Sequence, residues 1–280
     1  MSIPATIKEI IAGGERFLIT THVDPDGDAV GSLLAMAWLL KSVGKRPVLY
    51  LADAIPYRYA FLPRPSEPVT EPPEGPFDCV FFLDCGNAHR AGKDHTTLLR
   101  LGTSVNIDHH MTNDLYGTIN YHDPDASSTG ELIYRLAKST GMAIPAEAAV
   151  AIYTAVFTDT GSLRYDNATI RAFEICREMV QAGVEPAYVA RMVYESHPLK
   201  RFFLLGRLFC SLTTYRDDTI VFGLLSRAMF DETGTTAEHS DGFAEELKQI
   251  QGIEVAILLR ELEGPDRRFK ISMRSKGTVD

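Results

Sequence analysis

Three short apolar runs, residues 16–21, 79–83 and 103–107, each break off at a side chain able to bind a metal or move a proton. His22 follows the first, Asp84 the second, and Asp108, His109 and His110 the third. Runs this short, bounded by polar or turn residues, read as strands buried on both faces, the pattern of a parallel sheet. In open α/β sheets, ligands bind outside the carboxyl ends of the strands. Acid and imidazole from distant parts of the chain therefore meet in one crevice if these strands are neighbours.

The segments between them carry helix signals. Residues 28–43 form a strongly apolar stretch that starts at Asp28 and stops at Gly44, followed by a second strand at 46–51. This strand, helix, strand order predicts an α/β fold whose N-terminal domain has a parallel, Rossmann-like sheet. The Pro- and Glu-rich stretch 63–76 lies between strands of that sheet and reads as a surface loop. Helices are expected at 129–139, 146–158, 169–181 and 186–195, after which strand and helix cease to alternate. The expected organisation is a catalytic domain over 1–195, a helical connector over 196–212, and a smaller α+β domain over 213–280. The last would hold strands at 219–225, 254–260 and 269–273 and a helix at 241–250.

Composition narrows the function classes. With 280 residues and 45% hydrophobic content the chain can fill a real core, and its formal charge of −9 argues against a basic surface for gripping duplex nucleic acid. A short single-stranded RNA or a small nucleotide remains a suitable partner. Cys79, Cys85, Cys176 and Cys210 form no CxxC pair, so they are expected to be reduced, in or near the core, in a cytoplasmic protein. No signal-peptide pattern opens the chain and no apolar run reaches the ~20 residues a membrane span needs, so no membrane partner is expected.

A site for two metal ions needs hard oxygen ligands and a few imidazoles, with one carboxylate able to bridge. His22, Asp26 and Asp28 fit such a loop because Gly27 permits a tight turn between ligands. Alone, Asp24, Asp26 and Asp28 would equally make a polar turn, with Asp28 capping the next helix. The adjacent histidines alone would equally be surface residues. Asp84, by contrast, would be costly at the end of a buried strand unless solvated or paired. Asp159, in ThrAspThrGly after the apolar run 148–157, joins the set, although this motif is also a good helix terminator.

Taken in order, HisxxxAspxAsp, an isolated Asp after a strand, AspHisHis and ThrAspThrGly resemble the DHH phosphoesterase superfamily. The SerLeuArgTyr after Asp159 and the late GlnGlyIleGluValAla and SerMetArgSer segments resemble its branch of oligoribonucleases and phosphoadenosine phosphatases, with a DHHA1-type C-terminal domain. The resemblance implies one metal on His22, Asp26 and Asp84, a second on Asp28, Asp84, His109 and Asp159, and Asp84 as the bridge. It implies that His110 faces the substrate phosphate and that Asp108 orients the histidines. Mixed carboxylate and imidazole ligation suits Mn2+ better than Ca2+, with Mg2+ or Co2+ as alternatives.

In the C-terminal domain Ser272, Arg274 and Ser275 are candidate contacts to a nucleotide phosphate. From spacing alone an amphipathic edge strand with solvent-facing polar groups is the better reading, and it is the resemblance that points to substrate. Proteins of this branch continue into a helix and a Gly-rich segment ending in His, whereas this sequence stops at Asp280, so either it is a piece of a longer chain or part of the substrate clamp is missing. The expected function is hydrolysis of short oligoribonucleotides to nucleoside monophosphates, or of 3′-phosphoadenosine 5′-phosphate to AMP, by water activated between two metals. Alternatives are a cyclic or linear dinucleotide phosphodiesterase, a manganese pyrophosphatase, or a nucleotide-binding regulatory module without catalysis. A homodimer is a candidate assembly.

Overall fold

The computed structural model describes residues 3–264 and 268–276, which fall into two compact units, Met1–Glu195 and Ser196–Asp280. In chain order the first unit comprises α1 (Ala5–Gly13), β1 (Arg16–Thr20), α2 (Gly27–Ser42), β2 (Arg46–Leu49), β3 (Cys79–Leu83), α3 (His95–Leu98), β4 (Thr103–Asp108) and β5 (Ile119–His122). Four helices follow: α4 (Thr129–Thr140), α5 (Ala146–Asp159), α6 (Ile170–Gln181) and α7 (Pro186–Tyr194). Its sheet has the order β2-β1-β3-β4-β5, and every neighbouring pair is parallel. The three strands that deliver the candidate ligands, β1, β3 and β4, are therefore adjacent. Their carboxyl ends lie side by side.

Helices α1 and α3 and strand β5 are not among the elements expected from sequence, and Asp108, expected just beyond its strand, is the last residue of β4. Within 63–76 the loop makes one strand-like contact, a parallel bridge from Val69 to Tyr50.

Small residues let two helices approach closely beside the sheet. Gly27 and Gly31 of α2 face Thr158, Ala151 and Ala155 of α5, where an added Cβ would come within 2.3 Å of Thr158 Oγ1 or 2.6 Å of the Ala151 carbonyl oxygen. Position 27 faces 158 while position 31 faces 151 and 155, so the helices run antiparallel. This packing sets the start of α2, with Asp26 and Asp28, against the end of α5, with Asp159. Gly130 of α4 meets Ala155 in the same way.

The second unit comprises α8 (Leu199–Cys210), β6 (Thr213–Tyr215), β7 (Ile220–Leu225), α9 (Arg227–Thr233), α10 (Phe243–Lys248), β8 (Val255–Glu261) and β9 (Phe269–Ser275). Its sheet order is β6-β7-β8-β9, with β7 and β8 parallel and both outer pairs antiparallel. The segment read as a connector belongs to this unit's core, since Leu204 and Leu208 of α8 pack with Val221, Leu225, Phe243, Leu247 and Ala256. Cys79, Cys85 and Cys176 are buried free thiols, but Cys210, at the end of α8, is exposed. Among the described residues no helix is long and apolar enough to cross a membrane. The chain end at Asp280 lies outside the described residues.

Candidate metal centre

The first ligand loop is built by a helix cap. Asp26 is the N-cap of α2, and its Oδ1 accepts hydrogen bonds from the amides of Asp28 and Ala29. The cap therefore falls two residues before the Asp28 start expected from sequence. At the end of β3 the chain turns sharply at Asp84, which has φ +54 and whose amide donates to the Ile107 carbonyl. Among residues other than glycine, Asp and Asn tolerate this left-handed conformation best. Both effects bring carboxylates to the crevice at the strand ends.

Three groups of side chains converge there, each with ligand atoms within 4.8 Å of one another: His22, Asp26 and Asp84; Asp28, His109 and Asp159; and Asp84, His109 and His110. Asp84 Oδ2 lies 3.5 Å from His22 Nε2, while its Oδ1 lies 3.8 Å from His109 Nε2. His109 Nε2 is also 3.7 Å from Asp28 Oδ2 and 3.6 Å from Asp159 Oδ2. Asp84 thus turns one oxygen toward each of the first two groups.

The imidazoles are not equivalent. His22 Nδ1 lies 2.7 Å from the Val23 carbonyl oxygen and His109 Nδ1 lies 3.3 Å from that of Ala126. A carbonyl can only accept, so each Nδ1 carries a proton and each Nε2 is the nitrogen left facing the crevice. This arrangement orients metal-ligating histidines generally. His110 differs, because its Nδ1 donates to Asp108 Oδ1 at 2.8 Å. Asp108 is fully buried at the end of β4 and is held in turn by the Asn113 side-chain amide. The atom of His110 nearest Asp84 is this same Nδ1, 3.6 Å from Oδ1. A nitrogen already donating a proton is a poor ligand, so the group containing His110 is the weakest of the three.

The electrostatics of the crevice show a deficit of positive charge. Burial, followed by the charges of Asp84, Asp159 and Asp26, holds the Asp28 carboxyl well above its ordinary range. Burial also pushes Asp159 up to about 7, with Asp26 and Asp84 adding to it and His109 opposing. Burial works against the charge on Asp84 too, but the His22 hydrogen bond and the charges of His22, His110 and His109 outweigh it and hold this carboxyl below the usual range. His110 is raised to about 9, chiefly by its hydrogen bond to Asp108. Four carboxylates and two correctly oriented imidazoles, two of the acids unable to ionise comfortably, fit hard divalent cations.

Several residues that shape this centre escaped the sequence reading. Asn167 donates to the Asp159 carboxylate and to the Ser127 carbonyl, tying the end of α5 to the entry of α4. Ser32 donates to Asp28 Oδ1 at 3.0 Å from the next turn of α2. Thr129 donates to Asp84. Neither Ser32 nor Thr129 stands at a strand end, the signal by which the other residues are found. The remaining candidates, Ser272, Arg274 and Ser275, all lie on β9 of the second unit. There Arg274 Nε donates to Glu245 Oε1 at 2.6 Å and its Nη1 to the Met273 carbonyl.

Comparison with known proteins gives the same direction. A bifunctional oligoribonuclease and PAP phosphatase NrnA of Thermus thermophilus is 32% identical over 282 aligned positions, spanning all of this chain and 81% of the relative. The NrnA of Bacillus subtilis is 26% identical, over 95% of this chain and 83% of its own length. Among solved structures, an exopolyphosphatase-related protein from Bacteroides fragilis superposes with a TM-score of 0.88 at 25% identity, covering 98% of this chain and 83% of that one. A putative family II inorganic pyrophosphatase from Methanococcus jannaschii shares the fold, with a TM-score of 0.53 at 16% identity over 88% of this chain and 83% of that one. The DHH family, N-terminal domain, matches residues 16–156, and this protein belongs to the DHH family.

Proposed function

We propose that the protein is a metal-dependent phosphoesterase that hydrolyses short oligoribonucleotides to nucleoside monophosphates and 3′-phosphoadenosine 5′-phosphate to AMP. The observation that carries the reading is the pair of ligand groups that Asp84 faces with one oxygen each, both with an imidazole whose Nε2 is turned inward by a backbone carbonyl. The oligoribonuclease and PAP phosphatase named among the relatives supplies the substrate class.

His22, Asp26 and Asp84 would hold one ion, and Asp28, Asp84, His109 and Asp159 the other, with Mn2+ the best match to this donor set and Mg2+ or Co2+ as alternatives. Bound there, such ions polarise phosphoryl oxygens and lower the pKa of bound water. The chain's own contribution is charge and position. His110, held protonated by Asp108, presents a cation to a phosphoryl oxygen at the rim of the crevice, and its side chain is 37% exposed.

Substrate selection is assigned to the second unit, a DHHA1-like domain in which Ser272, Arg274 and Ser275 contact a phosphate remote from the scissile one. Arg274 would exchange its Glu245 partner for that phosphate. A cytoplasmic setting completes the proposal.

Product analysis tests it with short RNA, 3′-phosphoadenosine 5′-phosphate, cyclic and linear di-AMP, and pyrophosphate, each with Mn2+, Mg2+ or Co2+. Release of nucleoside monophosphates and AMP is expected. Turnover confined to pyrophosphate or to cyclic di-AMP would replace the proposal with one of those activities.

A further inference from the structure

The entry to α4 touches both ligand groups at once. Thr129 Oγ1 donates to Asp84 Oδ1 at 3.0 Å, and its amide donates to Asp28 Oδ2 at 2.6 Å. The next amide, of Gly130, donates to Asp28 Oδ1 at 2.9 Å. Thr129 is itself fully buried, and Asp28 and Asp84 are 1% exposed. In such a setting a hydrogen bond to a carboxylate is strong, and the loss of one is not made good by water.

The geometry fixes more than distance. A carboxylate can rotate about its last bond, and Asp84 serves two groups only if one oxygen faces each. With Thr129 bonded to Oδ1, that oxygen stays on the side of His109 and leaves Oδ2 on the side of His22, 3.5 Å from Nε2. The turn carrying Thr129 is anchored from behind. Glu131, fully buried, accepts from the amide and hydroxyl of Ser127 and pairs with Arg135 and Arg171, while Arg135 also donates to Asp123. Ser128 caps the helix through the Glu131 amide. A serine cap with glutamate three residues on ordinarily makes a reciprocal box; here the glutamate reaches one residue further back and locks the Ser127 turn instead.

We propose that Thr129 is a positioning residue of the metal centre, whose hydroxyl holds the Asp84 carboxylate in its bridging orientation and so sets the affinity of both metal pockets. The inference rests on the two-pocket reading above. Thr129 acts through Asp84 and touches neither substrate nor the reacting atoms.

The test is titration of Mn2+ into the metal-free full chain by calorimetry, with melting curves of the same metal-free samples. T129V keeps the shape of the side chain and loses the donor, whereas T129S keeps the donor. Relative to the parent, T129V should bind both ions about 10–100-fold more weakly, the range for residues that orient ligands, and T129S should stay within about threefold. The metal-free melting temperatures should stay alike. Parent-like binding by T129V would overturn the proposal, as would a loss in T129S equal to that in T129V. A fall in metal-free melting temperature that T129S does not reverse would make the role structural and overturn it too. If T129V does not fold, T129A removes the same donor without adding bulk and should show the same loss of affinity. A parent chain that binds a single ion would refute the two-pocket reading itself, which is a separate result.

Discussion

At the scale of single residues, Asp84 is the group on which the centre turns. Its position at φ +54 matters for the choice of variant, since Asn tolerates the same backbone and removes only the charge. D84N should lose more than about 100-fold in turnover, the upper end for residues that merely orient a ligand, and should lose tight binding of both ions in calorimetry. Parent-like metal binding would show that Asp84 bridges nothing. The two neighbouring histidines give a second contrast. H109Q removes an Nε2 lying 3.6–3.8 Å from Asp28, Asp84 and Asp159, so it should weaken metal binding itself. H110Q removes a cation whose Nδ1 is committed to Asp108, so it should leave metal affinity near the parent value and depress turnover. Equal metal loss in both would mean that the division of roles between the two histidines is wrong. Asp84, His109, His110 and Asp108 are legible in the sequence because each closes an apolar run at the ligand-bearing end of a parallel strand. Thr129 is not, because SerSerThrGly followed by Glu131 has the chemistry of any helix start, and only the fold shows that this start abuts two carboxylates.

At the scale of elements, the centre depends on how closely α2 and α5 approach. Gly31 leaves no room for a side chain, since a Cβ there would lie 2.8 Å from Ala155 Cβ and 2.6 Å from the Ala151 carbonyl oxygen. G31A should therefore destabilise the first unit by about 1–3 kcal/mol, the usual cost of overpacking. It should also weaken metal binding, because the same contact sets the spacing of Asp28 and Asp159. Melting curves and a Mn2+ titration check both effects, and unchanged stability would show that the helices have slack. Neither α2 nor α5 has a polar face to speak of, and both read as long apolar segments. Their existence is therefore plain from sequence, whereas their partnership and antiparallel sense are not. The same limit explains the missed elements. β5 is only four residues long and carries Asn120 and His122, so no apolar run announces it. β6 is three exposed residues, and its pairing with β7 is tertiary. The helix at 199–210 is legible, but whether an apolar helix links two units or fills the core of one depends on what covers it; Leu204 and Leu208 decide for the second unit.

At the scale of the whole molecule, the two units have separate hydrophobic cores, and every candidate metal ligand belongs to the first. Metal should therefore act on the first unit directly and on the second not at all. A ligand that binds only the native state at 100 times its Kd stabilises by about 2.7 kcal/mol. For a unit near 195 residues, at about 2–4 °C per kcal/mol, two Mn2+ ions at that saturation, about 5.4 kcal/mol together, should raise its transition by about 11–22 °C and leave that of the second unit in place. The second unit carries its own titrating group. His239 is buried, and burial, with the nearby charges of Lys200 and Arg201 outweighing that of Glu238, holds its imidazole below the ordinary value of 6.5. Its Nδ1 accepts from the Thr236 amide at 3.1 Å, a bond that requires this nitrogen to be unprotonated. Unfolding frees the ring to take up a proton near pH 6.5 that the native state refuses. This contribution to stability is accordingly complete above that pH and shrinks as the pH falls below it. Scanning calorimetry from pH 8 to pH 5, with and without Mn2+, should show two transitions, one moved by the metal and the other lowered by acid below about pH 6.5. H239Q should flatten the acid dependence of the second transition relative to the parent and leave the metal shift of the first unchanged. A single transition moved equally by metal and by H239Q would mean that the chain unfolds as one cooperative body and that the division into units has no energetic counterpart.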